Sequence, residues 1–103
     1  MGTRFEWDPG KALANARKHS VMFDDALQVF DDPFALSEQD RVEDGEYRWR
    51  TIGMVGGVAL LLVAHKTDDL DEDAMVVRII SARRADRRER KHYEQAARNT
   101  HSP

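Results

Sequence analysis

The chain has 103 residues, of which 41% are hydrophobic and 34% charged, and a formal net charge of −3. That describes one charge-rich soluble domain with a modest core. It has no cysteine, which excludes disulfides, thiolate metal sites and a cysteine nucleophile, and fits a reducing cytoplasm.

The start, Met1 to Asp8, is charged and lacks an apolar stretch, so it is not read as a signal peptide. The longest apolar run, Gly56 to Ala64, falls well short of a membrane span. Charge is laid out in blocks. Residues 24–46 carry a net −8 and residues 82–103 a net +4. A weakly acidic total therefore does not exclude nucleic-acid binding if the basic blocks meet on one face.

Arg4 to Trp7 alternates polar and apolar, as a short strand does. Asp8-Pro9 reads as an N-cap followed by proline at the first helical position, predicting a helix to about His19. Phe23, Ala26, Leu27 and Phe30 sit at helical spacing and predict a second helix, ended by Asp31-Asp32-Pro33. Phe34 to Ser37 reads as a short strand, and Glu38 to Gly45 as an acidic turn. Glu46 to Val55 alternates, with Tyr47, Trp49, Thr51 and Val55 on one face and Glu46, Arg48, Arg50 and Ile52 on the other. Gly56-Gly57 marks a hairpin. Val58 to His65 is almost wholly apolar and reads as a central strand. Asp68 to Asp73 reads as an acidic loop and Ala74 to Ser81 as the last strand. A basic helix is expected from about Ser81 or Ala82, fraying from Asn99. The expected class is α+β: a small, mainly antiparallel sheet, two N-terminal helices and a C-terminal helix, with helices largely on one face. One domain spans residues 1–98, with a tail at 99–103.

Four features could carry chemistry. Arg78, Arg83, Arg84 and Arg87 would surround the start of the last helix, where free N–H groups favour an anion such as phosphate. A solvated surface helix is the alternative reading. Glu46, Arg48 and Arg50 share a strand face and can bind a phosphodiester beside a carboxylate, or simply form a salt-bridge ladder. His65 ends the apolar strand, as a hydrogen-bonded structural residue or a general acid or base. Tyr93 is first a core anchor, with its hydroxyl able to reach a phosphate. No histidine or acidic spacing matches a metal site or an EF-hand loop.

Specific runs resemble the BrnT toxin family. They are Phe5-Glu6-Trp7-Asp8-Pro9, Lys11-Ala12, Asn15, Lys18-His19, Val21, Phe23 and Ala26, then Val29-Phe30 and Asp32-Pro33. Gly45-Glu46, Arg48 and Ile52-Gly53 follow, then Arg78-Ile79-Ile80-Ser81-Ala82-Arg83, Ala85, Glu89-Arg90 and Tyr93-Glu94. Ser20 stands where the family pattern usually has glycine. The resemblance implies a RelE-like fold and a cytoplasmic, metal-independent, cofactor-free ribonuclease that arrests growth. It also implies a BrnA-type ribbon-helix-helix antitoxin encoded beside it, contact with operator DNA only through that antitoxin, and a complex that can contain a toxin dimer.

On this reading RNA is cut by attack of its own 2′-OH, which needs charge stabilisation and two proton transfers. Arg48, Arg78 and Arg83 are the expected charge stabilisers, with His65 and Glu46 as acid and base. Lys11, Arg50, Arg87 and Tyr93 are the expected RNA contacts. The competing class is a non-catalytic module whose basic face holds an acidic protein segment or nucleic acid. Cleavage separates the two.

Overall fold

The structure is a computed structural model and describes residues 2–71 and 74–101. Its elements are β1 (Gly2–Glu6), α1 (Pro9–His19), α2 (Phe23–Ala26), a 3₁₀ turn (Leu27–Asp31), β2 (Leu36–Glu43), β3 (Glu46–Val55), β4 (Ala59–Asp71), β5 (Ala74–Arg84) and α3 (Arg87–His101). The strands form one sheet in the order β1-β5-β4-β3-β2. Among the described residues only β1 runs parallel to its neighbour, β5.

Local chemistry accounts for the N-terminal half. The Asp8 carboxylate accepts the Lys11 N–H at 2.9 Å, and Pro9 fills the first turn. Ser20 closes α1 in the left-handed region at φ 58°, its N–H bonded to Ala16 O at 2.9 Å. Glycine adopts that conformation without steric cost, so serine is the more strained choice at this position.

Several elements depart from the sequence reading. The acidic stretch after Ser37 is not a turn: β2 continues to Glu43, and the reversal is Asp44-Gly45, both at positive φ. Such a two-residue turn matches the twist of a hairpin; between β3 and β4 the turn is three residues, Gly56 and Gly57 at positive φ followed by Val58. β4 continues past His65 to Asp71, so Asp68 to Asp71 is strand; the rest of the expected loop, residues 72 and 73, lies outside the described residues. β5 runs on to Arg84, and α3 begins only at Arg87. The α3 helix continues to His101, beyond Asn99 where fraying was expected.

Cross-strand partners share a face, so the register sorts every side chain. One face carries Leu61, Val63, Val77, Ile79 and Ala82, which pack with Phe23, Ala26 and Val29 of α2 and the 3₁₀ turn. The other carries Ile52, Leu60 and Leu62, which pack with Tyr93 of α3. The helices therefore lie on both faces, not largely on one as the sequence suggested. The reason is that β4 is apolar at successive positions and needs cover on each side.

The 3₁₀ turn approaches β3 at Gly53. A Cβ there would stand 2.8 Å from both the carbonyl oxygen and a methyl of Val29. Gly53→Ala should therefore cost about 2 kcal/mol of stability. A urea midpoint equal to that of the unsubstituted chain would show that the turn moves away freely.

Candidate active site

A β-bulge shapes the candidate site. Ala64 pairs with Ser81, but the next residue, His65, pairs with Ile79. Ile80 is the extra residue. Arg78 and Arg83 are five positions apart and would fall on opposite faces of a regular strand. With the bulge, Arg78 pairs with Lys66 and Arg83 with Leu62, so both share the α3 face. Arg48, Arg50 and Glu46 lie there too, because Arg50 pairs with Ala64.

The half of this face away from α3 is a lattice of ion pairs. Both Glu46 carboxylate oxygens accept from Lys66 Nζ, at 3.0 and 3.1 Å. Arg78 donates to Glu6 at 3.0 Å. The Arg48 side chain is 19% exposed, and its Nε lies 3.4 Å from a Glu43 oxygen, near enough for an ion pair but outside hydrogen-bond geometry.

Nearer α3 the face opens into a cleft of about 350 Å³, lined by Glu38, Arg50, Ile52, Asp86, Arg88, Glu89 and His92. Glu38 and Arg50 are a cross-strand pair of β2 and β3. His92 Nε2 lies 3.4 Å from a Glu38 oxygen. A second hollow of about 480 Å³ runs along α3 past Arg87, Arg88, Lys91, His92 and Gln95. Arg88 and His92 border both, so a basic groove leads into the cleft. The arrangement offers an imidazole beside a carboxylate, flanked by two guanidinium groups.

The wall of the cleft is tightly held. Arg83 donates from Nη1 and Nη2 to the two oxygens of Glu89 at 2.8 and 2.9 Å. Glu89 also accepts the Asp86 N–H while Asp86 accepts the Glu89 N–H, a reciprocal helix cap. The Arg83 hydrogen bonds hold the Glu89 carboxyl below the usual carboxylate range, against its partial burial, and the Arg50 charge adds to this. The start of α3 is thus occupied by its own carboxylates. Arg78, Arg83 and Arg84 belong to the strand, so the expected anion site at the helix end does not form.

Tyr93 is 7% exposed and donates its hydroxyl to Asp32 at 2.6 Å. Asp32 also accepts the N–H groups of Met54 and Phe34. Burial opposes ionisation of Asp32, but these donors outweigh it and keep its pKa below the usual value. Burial, with the Asp32 hydrogen bond, pushes the Tyr93 hydroxyl up to about 12. Tyr93 is therefore a core latch that fastens α3 to the sheet.

His65 and Lys11 lie with the other layer. His65 is 5% exposed, with its ring edge-on to Phe30 and Nε2 at 2.8 Å from Thr51 Oγ1, which meets Ser37 Oγ at 2.7 Å. Burial pushes its pKa down to about 4. Lys11 is on the exposed side of α1, next to Ala12 of the Leu61–Val63 cluster. The structure brings together Glu46, Arg48, Arg50, Arg78 and Arg83 on one sheet face, with Arg87 nearby on α3. It does not bring His65 or Lys11 to them. Sequence reasoning missed Glu38, Arg88 and His92. In sequence Glu38 falls in an acidic, turn-like stretch, which hides that it faces Arg50 on the neighbouring strand.

The buried neutral His65 has a pH signature. An unfolded chain takes up this proton near pH 6.5, the folded one only near pH 4, so stability should fall as pH drops through that window. The full loss is on the order of 3 kcal/mol. Comparing urea midpoints at pH 7 and 4.5, His65→Gln should lose less than the unsubstituted chain. Equal losses would rule the assignment out.

Residues 7–89 match the family model described as the ribonuclease toxin, BrnT, of type II toxin–antitoxin systems. The chain belongs to the BrnT family. The crystal structure of the Brucella abortus ribonuclease toxin BrnT shares the fold, at TM-score 0.55 and 23% identity, covering 84% of this chain and all of that one. Elevenin of Conus ebraeus is 38% identical over 53 residues, which are 52% of this chain and 45% of that protein. The chain thus spans less than half of elevenin's length, and that partial likeness carries no argument about the site. The match places this chain in a ribonuclease toxin family of type II toxin–antitoxin systems.

Proposed function

We propose that this chain is an endoribonuclease that cuts RNA by attack of the 2′-OH on the adjacent phosphate, without a metal, and is neutralised by a BrnA-type antitoxin. The observation that carries the reading is the cleft in which the His92–Glu38 pair stands between Arg50 and Arg88. Glu38 takes the 2′-OH proton as O2′ bonds to phosphorus. His92, protonated, gives a proton to O5′ as the P–O5′ bond breaks. The products are a 2′,3′-cyclic phosphate and a 5′-OH, and the 3.4 Å contact lets the proton return between the two groups. Arg50, Arg83 and Arg88 offset the charge that grows on the phosphorane. Arg48, Lys66, Arg78 and Arg87 hold flanking phosphates. His65, held neutral in the other layer, orders the sheet instead, and Glu46 orients Lys66.

The antitoxin, a ribbon-helix-helix protein on this reading, covers the basic groove of α3 and carries any operator contact, whether the complex holds one toxin or two. The test is cleavage of a defined single-stranded RNA in excess EDTA, with end-group analysis. Cyclic-phosphate ends support the reading. Cleavage only when divalent ions are restored removes metal independence. No cleavage by folded protein, with or without ribosomes, favours a binding module whose groove at Arg87, Arg88 and Lys91 holds an acidic segment.

A further inference from the structure

Among the cations of this sheet face, Arg83 is held from two directions. The first grip is on the backbone. Ala82, the residue before it, lies beyond the end of β1, which pairs with β5 only as far as Arg78. Its N–H and C=O would be unpaired at a buried sheet edge. The Asn15 side chain takes both: Oδ1 accepts the Ala82 N–H at 3.0 Å and Nδ2 donates to Ala82 O at 2.8 Å. Nδ2 also donates to Val21 O at 3.0 Å. Asn15 is 6% exposed, so water competes little for these bonds.

The second grip is on the head group. Glu89 receives one N–H from each terminal nitrogen, and Nη1 also donates to Arg84 O at 3.1 Å. A guanidinium has five N–H donors. Among the described residues these contacts leave the Nε–H and one Nη2–H, adjacent donors whose spacing suits two oxygens of one phosphate. The carboxylate therefore fixes one edge of the guanidinium and leaves the other edge for a substrate.

We propose that Glu89, which lines the cleft, is a positioning residue for Arg83, holding one edge of the guanidinium at the cleft wall so that the other edge can meet the RNA phosphate that reacts. This rests on the ribonuclease reading above. A carboxylate beside a phosphate site weakens binding through like-charge repulsion, while fixed geometry favours the transition state. Glu89 thus trades substrate affinity for turnover. A purely structural helix cap would not have that effect.

Two variants separate the roles. Glu89→Gln keeps the length and the oxygen that caps Asp86, since glutamine serves equally in such a cap, but removes the charge. Glu89→Asp keeps the charge and withdraws it by one methylene. Binding is read with an RNA carrying a 2′-O-methyl group at the scissile nucleotide, which cannot react. Chemistry is read by single-turnover cleavage of the unmodified RNA. Glu89→Gln should bind as tightly as the unsubstituted chain or more tightly, and cleave roughly 10-fold slower or worse. Glu89→Asp should fold, bind as before and also cleave more slowly. Adding Glu89→Gln to Arg83→Ala should cost nothing further, because the two act as a unit. Wild-type cleavage by either folded variant, or additive losses in the double variant, would overturn the proposal.

Nitrogen-detected NMR of the Arg83 side chain tests the grip independently of activity. Its Nη protons should be resolved in the unsubstituted chain and averaged by rotation in Glu89→Gln. If they look alike in both, Glu89 does not hold Arg83. If they differ but the unsubstituted chain cuts no RNA, the grip stands and the ribonuclease reading has failed.

Discussion

His92→Ala should slow RNA cleavage by roughly 10²-fold or more while leaving the fold intact. The side chain is 54% exposed and its ring meets Glu38 at the surface, so its removal opens no cavity. What it removes is the group assigned to protonate the leaving O5′. Glu38→Gln should give a loss of similar size, since an amide cannot take the 2′-OH proton. The two losses should not add in the double variant, because the groups share one proton path. Arg50→Ala should lower cleavage too, with a loss of RNA affinity, because Arg50 contributes charge in the ground state as well. The check is the single-turnover rate on a defined RNA, with the far-ultraviolet spectrum and urea midpoint measured for each variant. Wild-type cleavage by folded His92→Ala protein would sink the assignment. Loss of cleavage in folded His65→Gln, with none in His92→Ala, would move the chemistry to the other layer.

Asn15→Ala should lower stability by about 4 kcal/mol. The amide satisfies three buried backbone groups: Val21 O, Ala82 O and Ala82 N. Each is left unpaired by alanine, and each unpaired buried group costs about 1–3 kcal/mol, less whatever relaxation and water recover. Asn15→Asp should also destabilise, since a carboxylate accepts the Ala82 N–H but faces two carbonyl oxygens without a hydrogen to offer. A urea midpoint within experimental scatter of the unsubstituted chain would show that water replaces the amide. Asn15 marks the sequence as part of a family-like run, yet its role is invisible there. An asparagine mid-helix is most simply a surface residue. Only a partner 67 positions away makes it a substitute strand for the edge that β1 leaves uncovered.

The sequence alone determined a good deal. The Asp8-Pro9 start of α1, the alternation of β3 and the Gly56-Gly57 hairpin are local signals, and each acts through neighbours a few residues away. The α+β class followed from their order, and the sharing of one face by Glu46, Arg48 and Arg50 followed from the two-residue period of a strand. The Asp44-Gly45 turn was equally legible, but its flanks are charged and so hid the strand that carries Glu38. Where β5 ended could not be read, because Ser81 to Arg84 has neither a breaker nor a strong period.

What only the tertiary structure decided depends on pairing between distant segments. The bulge at Ile80 put Arg78 and Arg83 on the same face. The need to cover β4 on both sides sent α3 to the face opposite α1 and set His92 against Glu38. Facing Phe30 and Thr51, His65 became a buried neutral base rather than a neighbour of the arginines. Strand periodicity tells which residues share a face, but register and layer packing tell which faces meet. A catalytic constellation is made of such meetings, so its members could be named in part from sequence and assembled only in space.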